Sequence, residues 1–233
     1  MFDRISRIYD RLNTVMTAGL HHEWRRRAAD LAGVAPGDRV LDLATGTGDL
    51  AFELAGRLAP GGEVVGADFS ERMLEVARQK AAARDLAVPV NFEWANAMEL
   101  DWPDDSFDAA TVGFGVRNFA DLDRGLSQLA RVVRPGGHVV ILEATVPQRP
   151  PLSTFFSLWF DRAVPILGRV AGDADAYTYL PNSVRRFPGP YELAARLASA
   201  GLSAVRYVIT AGGIIALHVG TADSGHREGK VGA

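Results

Sequence analysis

The chain has 233 residues, 48% of them hydrophobic, enough for one α/β domain with a large core or two small domains at most. Its net charge of −3 and the lack of any block of like charge argue against a nucleic-acid partner. The absence of cysteine excludes disulfides and thiolate metal sites, no metal is expected, and no apolar run reaches the roughly 18 residues needed to span a bilayer.

Within residues 1–33, Phe2, Ile5, Ile8, Tyr9 and Leu12 recur at helical intervals, and a second helix is predicted over 21–31. Tyr9, Asp10, Asn13, His21 and Trp24 are not needed by a Rossmann-like core. Singly they read as an amphipathic cap with Trp24 in the core; together they read as a lid over a ligand. The next stretch, V-L-D-L-A-T-G-T-G-D-L over 40–50, is a buried strand, a tight turn and a helix start. Gly46 and Gly48 let backbone approach a ligand closely, and the first helical N–H groups, which lack intrahelical partners, point at it.

The same turn fits the dinucleotide fingerprint G-x-G-x-x-A, with Asp68 twenty residues after Gly48, where a ribose-binding acid belongs. Asp42 separates the candidate ligands. A carboxylate just before the glycines repels a pyrophosphate and attracts an ammonium, so the pair of acids suits S-adenosylmethionine better than NAD.

Strand and helix patterns then alternate: a strand over 63–68, a helix over 71–84 capped by Ser70, and a strand over 90–95. Asn96 follows at a strand end, where its amide reads an adenine edge or forms a turn. A strand over 107–113 runs into F-G-V-R-N-F, which puts Arg117 and Asn118 at the mouth of the crevice beside Gly113. A helix over 122–133, a turn at 134–137 and a strand over 138–145 come next, and Glu143 in that apolar run must be paired or functional. Over 147–190 the alternation stops. Residues 152–167 are apolar and aromatic there, and Tyr177 and Tyr179 precede a helix over 191–200. Strands over 203–209 and 213–219 form a terminal hairpin. The expected fold is α/β and Rossmann-like: a seven-stranded, mostly parallel sheet with an antiparallel C-terminal hairpin. Its parts are a helical lid (1–33), a methyltransferase domain (34–221) with a substrate-side insertion (147–190), and a disordered tail (222–233).

Seven motifs carry a family resemblance: Y-D-R-L-N…H-H-E-W, L-D-L-A-T-G-T-G-D, N-A-M, F-G-V-R-N, R-V-V-R-P-G-G-H-V-V-I-L-E-A-T, Y-T-Y-L-P-N-S and T-A-G-G-I-I-A-L-H. They resemble the quinone-biosynthesis C-methyltransferases, both the demethylmenaquinone enzymes and the ubiquinone-pathway methylases of 2-methoxy-6-polyprenyl-1,4-benzoquinol. The likeness extends over residues 2–220. Leu12 replaces a usual Met, Thr17 and Thr145 replace Ser, and Thr45 replaces a glycine common in the ubiquinone branch. The resemblance implies S-adenosyl-L-methionine at Thr47, Asp68, Asn96 and Ala97, with Gly46, Gly48, Asp42 and Gly113 completing the pocket. It implies a polyprenyl quinol substrate, with demethylmenaquinol the preferred reading and another small molecule the rival. Arg117, Asn118 and Tyr9 are the catalytic candidates, His21 the reserve. Arg117 is assigned to a quinolate oxygen because a guanidinium stays protonated and is a poor base. A cytoplasmic protein is expected; a peripheral contact with the inner membrane face and a homodimer are left open.

Overall fold

Strands whose side chains alternate between two apolar faces, each followed by an amphipathic helix, assemble in the computed structural model into one seven-stranded sheet flanked by helices on both sides. The structure describes residues 19–147, 150, 153–154 and 183–223. In chain order the elements are α1 (Leu20–Leu31), β1 (Arg39–Leu43), α2 (Asp49–Ala55), β2 (Glu63–Asp68), α3 (Glu71–Ala82), β3 (Val90–Trp94) and β4 (Phe107–Gly113). There follow α4 (Leu122–Val132), β5 (Val133–Ala144), α5 (Pro190–Ser199), β6 (Leu202–Thr210) and β7 (Ile215–Ala222).

The strand order is β3-β2-β1-β4-β5-β7-β6. The first five strands are parallel, β7 runs antiparallel to β5, and β6 antiparallel to β7. Chain order reverses between β1 and β4. That reversal opens a crevice at the carboxyl ends of the strands, where a doubly wound sheet holds its ligand. Alternation along each strand divides the core. Leu41, Leu43, Val65, Val112 and Ile141 face Leu126 and Leu129 of α4 and Leu193 and Leu197 of α5. Val40, Val64, Val140 and Leu142 face Trp24 and Ala28 of α1, Leu54 of α2 and Leu74 of α3.

Two helices start where a short polar side chain accepts an otherwise orphan backbone donor: Ser70 Oγ takes the Met73 N–H, and Asp121 Oδ1 takes the Arg124 N–H. Three expectations are corrected. The R-P-G-G segment is not a turn before β5 but an irregular opening within it: Phe107 pairs with Val133 and Ala109 with His138, so the segment between them is displaced from the ladder. Gly213 stands outside β7, in a short 3₁₀ turn over Ala211–Gly213. β7 itself extends past the expected end at Val219 to Ala222, which is buried and opposite Leu202. Tyr9, Asp10, Asn13, residues 155–182 and residues 224–233 lie outside the described residues, and with them most of the proposed lid and insertion.

Candidate active site

The crevice at the strand reversal holds a cavity of about 360 Å³. Its walls come from the carboxyl ends of β1, β2 and β4, from the segments that follow them and β3, and from Arg25 of α1. Asp42, Gly46, Thr47, Asp68, Asn96, Ala97, Gly113 and Asn118 all line it.

Two glycines of the β1–α2 turn do different work. Gly46 has a φ of 57°, and no atom lies within 4 Å of where its Cβ would stand, so the backbone there is open to a ligand. Gly48 has a φ of 85° but does not line the cavity. A Cβ on it would come 2.8 Å from Phe92 Cζ, so its smallness serves packing against Phe92 and Phe52. Asp68 ties the turn to the next helix, its Oδ2 accepting the Gly46 N–H at 2.8 Å and its Oδ1 the Ser70 N–H at 2.8 Å.

Asp42 is fully buried. Its two oxygens accept the hydroxyls of Thr45 at 2.5 Å and Thr111 at 2.7 Å. Burial pushes its carboxyl up to about 6, with the two threonine hydroxyls and Arg25 only partly offsetting the loss of water. Asp49, which also lines the cavity, behaves oppositely. Burial would raise it, but Arg25 and Lys80 outweigh burial and hold it below the ordinary carboxylate range. Thr47 Oγ1 is 3.1 Å from Lys80 Nζ. Asn96 forms a turn, its Oδ1 accepting the Met98 N–H at 3.1 Å, and the residue lines the cavity.

The catalytic candidates separate. Asn118 lines the cavity, whereas Arg117 is not among the residues that do. The Arg117 guanidinium pairs through Nη1 with Glu143 Oε1, and their side chains are only 6% and 1% exposed. Glu143 is therefore paired. Arg117, expected at a substrate oxygen, stands in a buried ion pair, because parallel pairing of Gly113 with Leu142 brings Glu143 beside the segment after β4. His21 is buried and stacks near His22, and Trp24 meets Phe114 edge-on at 6.4 Å. Phe114 and Ala44, both at positive φ near 60° and 55°, line the cavity at the β4 and β1 tips, where backbone strain accompanies a binding site.

Sequence reasoning did not single out Phe69, Asp49 or Arg25. Phe69 is 69% exposed, lines the cavity and lies 5.5 Å from Trp94 between ring centroids, an apolar ring face available to a flat ligand. Its signal was its place directly after the β2 carboxylate.

Residues 1–222 match the family described as the ubiE/COQ5 methyltransferase family. A demethylmenaquinone methyltransferase from Thermus thermophilus is 49% identical over 221 residues, covering 94% of this chain and 99% of the relative. One from Deinococcus radiodurans is 46% identical over 94% of this chain and 90% of its own. The ubiquinone/menaquinone biosynthesis C-methyltransferase UbiE of Teredinibacter turnerae is 39% identical over 95% of this chain and 89% of its own. Among solved structures, a SAM dependent methyltransferase from Aquifex aeolicus superposes with a TM-score of 0.63 at 19% identity, covering 85% of this chain and 89% of that one, a likeness of fold.

Proposed function

We propose that this chain, which belongs to the ubiE/COQ5 methyltransferase family, methylates a ring carbon of a polyprenylated demethylmenaquinol with S-adenosyl-L-methionine as the donor. The observation that carries the reading is the charge of the cavity. Asp42, Asp49 and Asp68 line it against a single cation among the described residues, Arg25. Such a surface favours a ligand with an ammonium and a sulfonium and opposes the pyrophosphate of a dinucleotide. The open backbone at Gly46 and the exposed ring of Phe69 fit the same ligand, with Asp68 for the ribose, Phe69 and Asn96 for the adenine, and Thr47, Ala97 and Gly113 beside them.

The bound donor supplies an electrophilic methyl group. The chain's share is to hold the quinol carbon in line with it and near contact. Asn118, from the wall of the cavity, offers its amide to a quinol oxygen. Arg117, joined to Glu143, fixes the segment that carries Asn118, and Tyr9 remains the candidate from the N-terminal segment. Leu50, Phe114 and Phe119 give the cavity apolar walls that exclude water from the reacting carbon. A naphthoquinol is favoured over a benzoquinol because the two relatives at 46% and 49% identity are both named for demethylmenaquinone. No helix among the described residues is long and apolar enough to cross a membrane. A substrate with a prenyl tail resides in the bilayer, so we assign a peripheral contact with its inner face.

The test is direct. Purified protein with S-adenosylmethionine and a chemically reduced, short-chain demethylmenaquinone should yield singly methylated quinol by mass spectrometry. The 2-methoxy-6-polyprenyl benzoquinol should react at least about tenfold more slowly. Faster turnover of the benzoquinol overturns the substrate, and absence of S-adenosylhomocysteine binding in calorimetry overturns the donor.

Asp42 adds a pH dependence. With its carboxyl at about 6, donor affinity should be flat above that pH and fall below it, by up to about tenfold per unit, as one of three attracting charges is neutralised. Titration calorimetry from pH 5 to 7.5 checks this, and Asp42→Asn should abolish the slope. For folding the sign is reversed. The native chain holds this proton more tightly than the unfolded one, so the contribution to stability is full below about pH 4 and is lost as pH rises through about 6.

A further inference from the structure

We infer that Arg25 holds the carboxylate of the bound methyl donor, an inference that rests on the cofactor reading above. The donor is a zwitterion at its amino-acid end. A cavity lined by three aspartates attracts the ammonium but repels the carboxylate, and a cation is the group best suited to receive the latter. Among the described residues lining the cavity, Arg25 is the only lysine, arginine or histidine.

Three further observations fit. Arg25 is 8% exposed, and its Nη1 is a buried nitrogen that makes no hydrogen bond. Its nearest carboxylate contact, Asp49 Oδ2 at 3.3 Å, is an ion pair without hydrogen-bond geometry. A buried guanidinium donor left unbonded is costly, and a ligand carboxylate satisfies it. Asp49 has a second cation beside it, because Lys80 Nζ contacts its other oxygen. Arg25 can therefore turn a donor to a ligand without leaving Asp49 unpaired.

Neighbouring arginines cannot substitute. Arg25 also lines a second cavity of about 250 Å³ together with Arg57 and Arg84, so it forms part of the wall between the two. Arg57 is bound to Asp30, Glu53 and the Arg26 carbonyl, and Arg84 lies over the Phe52 ring at 4.2 Å. Neither lines the main cavity.

The test compares S-adenosylmethionine with its decarboxylated form, which keeps the sulfonium and the amine. In calorimetry the wild type should bind the carboxylate form roughly 10- to 100-fold more tightly, the range for a charge-assisted hydrogen-bonded pair. In Arg25→Gln the ratio should collapse to within about threefold, and in Arg25→Lys, which keeps the charge beside Asp49 but loses the fork, it should be intermediate. In turnover, KM for the donor should rise with kcat much less affected. A wild-type ratio near one, or a wild-type ratio retained in Arg25→Gln, overturns the inference. If Arg25→Gln does not fold, an unchanged ratio in Arg25→Lys does so. Failure of the wild type to bind either compound would instead overturn the cofactor reading, so the two failures are distinct.

Discussion

Replacing Asp68 with alanine is expected to weaken S-adenosylhomocysteine binding by roughly 100-fold or more, the largest loss any single change in the cavity should cause. The residue has two jobs. One, on the cofactor reading proposed above, is to accept the ribose hydroxyls; the other is the tie between the Gly46 N–H and the Ser70 N–H, which fixes the glycine turn relative to α3. Hydrogen bonds to a carboxylate are worth about 1.5–3 kcal/mol each, so two lost to the ligand alone give about 3–6 kcal/mol. Release of the turn adds to this, because Gly46 then loses the geometry that leaves it open. Asp68→Asn separates the jobs. An amide can accept only through its oxygen and presents donors toward one of the two N–H groups, so it should fall between wild type and Asp68→Ala. Calorimetry gives the affinities, and thermal melting of the unliganded variants checks that the sheet is intact. Binding by Asp68→Ala within about threefold of wild type would remove the ribose assignment.

How far the site could be read from residues alone depends on whether the signal is local. β2 and β4 were bounded correctly from sequence because both are apolar runs ended by a glycine or an aspartate at the strand tip. Asp42, Gly46 and Asp68 belong to one strand and turn and the tip of the next strand, and spacing pointed to them, whereas Thr47 came from the family resemblance; all four line the cavity. The R-P-G-G segment misled because proline and glycine signal a turn equally well between elements and inside a displaced strand.

Other features depend on partners distant in sequence. Arg25 opens a run of three arginines that reads as a solvated helix face. Only the stripe of Trp24, Ala28 and Ala29 marks its side as buried, while Arg26 and Arg27 turn outward to Glu23. Glu143 was recognised as paired or functional, but choosing between them required the β4–β5 register that brings it to Arg117. Gly48 looked like a ligand glycine because the ring that occupies its free space, Phe92, comes from β3.

That buried pair sets the other large effect. Glu143→Ala should destabilise the protein by about 3–5 kcal/mol, since it strands the Arg117 guanidinium in a site where its side chain is 6% exposed. For a chain of this length that is a fall in melting temperature of roughly 6–20 °C. Glu143 also accepts the Ala144 N–H at 2.8 Å and the Arg117 N–H at 3.4 Å, so its loss loosens both the end of β5 and the segment bearing Asn118. Stability and positioning can be separated. The double change Arg117→Met with Glu143→Leu replaces an ion pair by apolar side chains of similar size and should return stability to within about 1.5 kcal/mol of wild type. Turnover should remain at least about tenfold down, with KM for the donor little altered, because the hold on Asn118 has not been restored. Full recovery of turnover alongside stability would mean that the pair only fills space and that Asn118 is positioned by the turn itself.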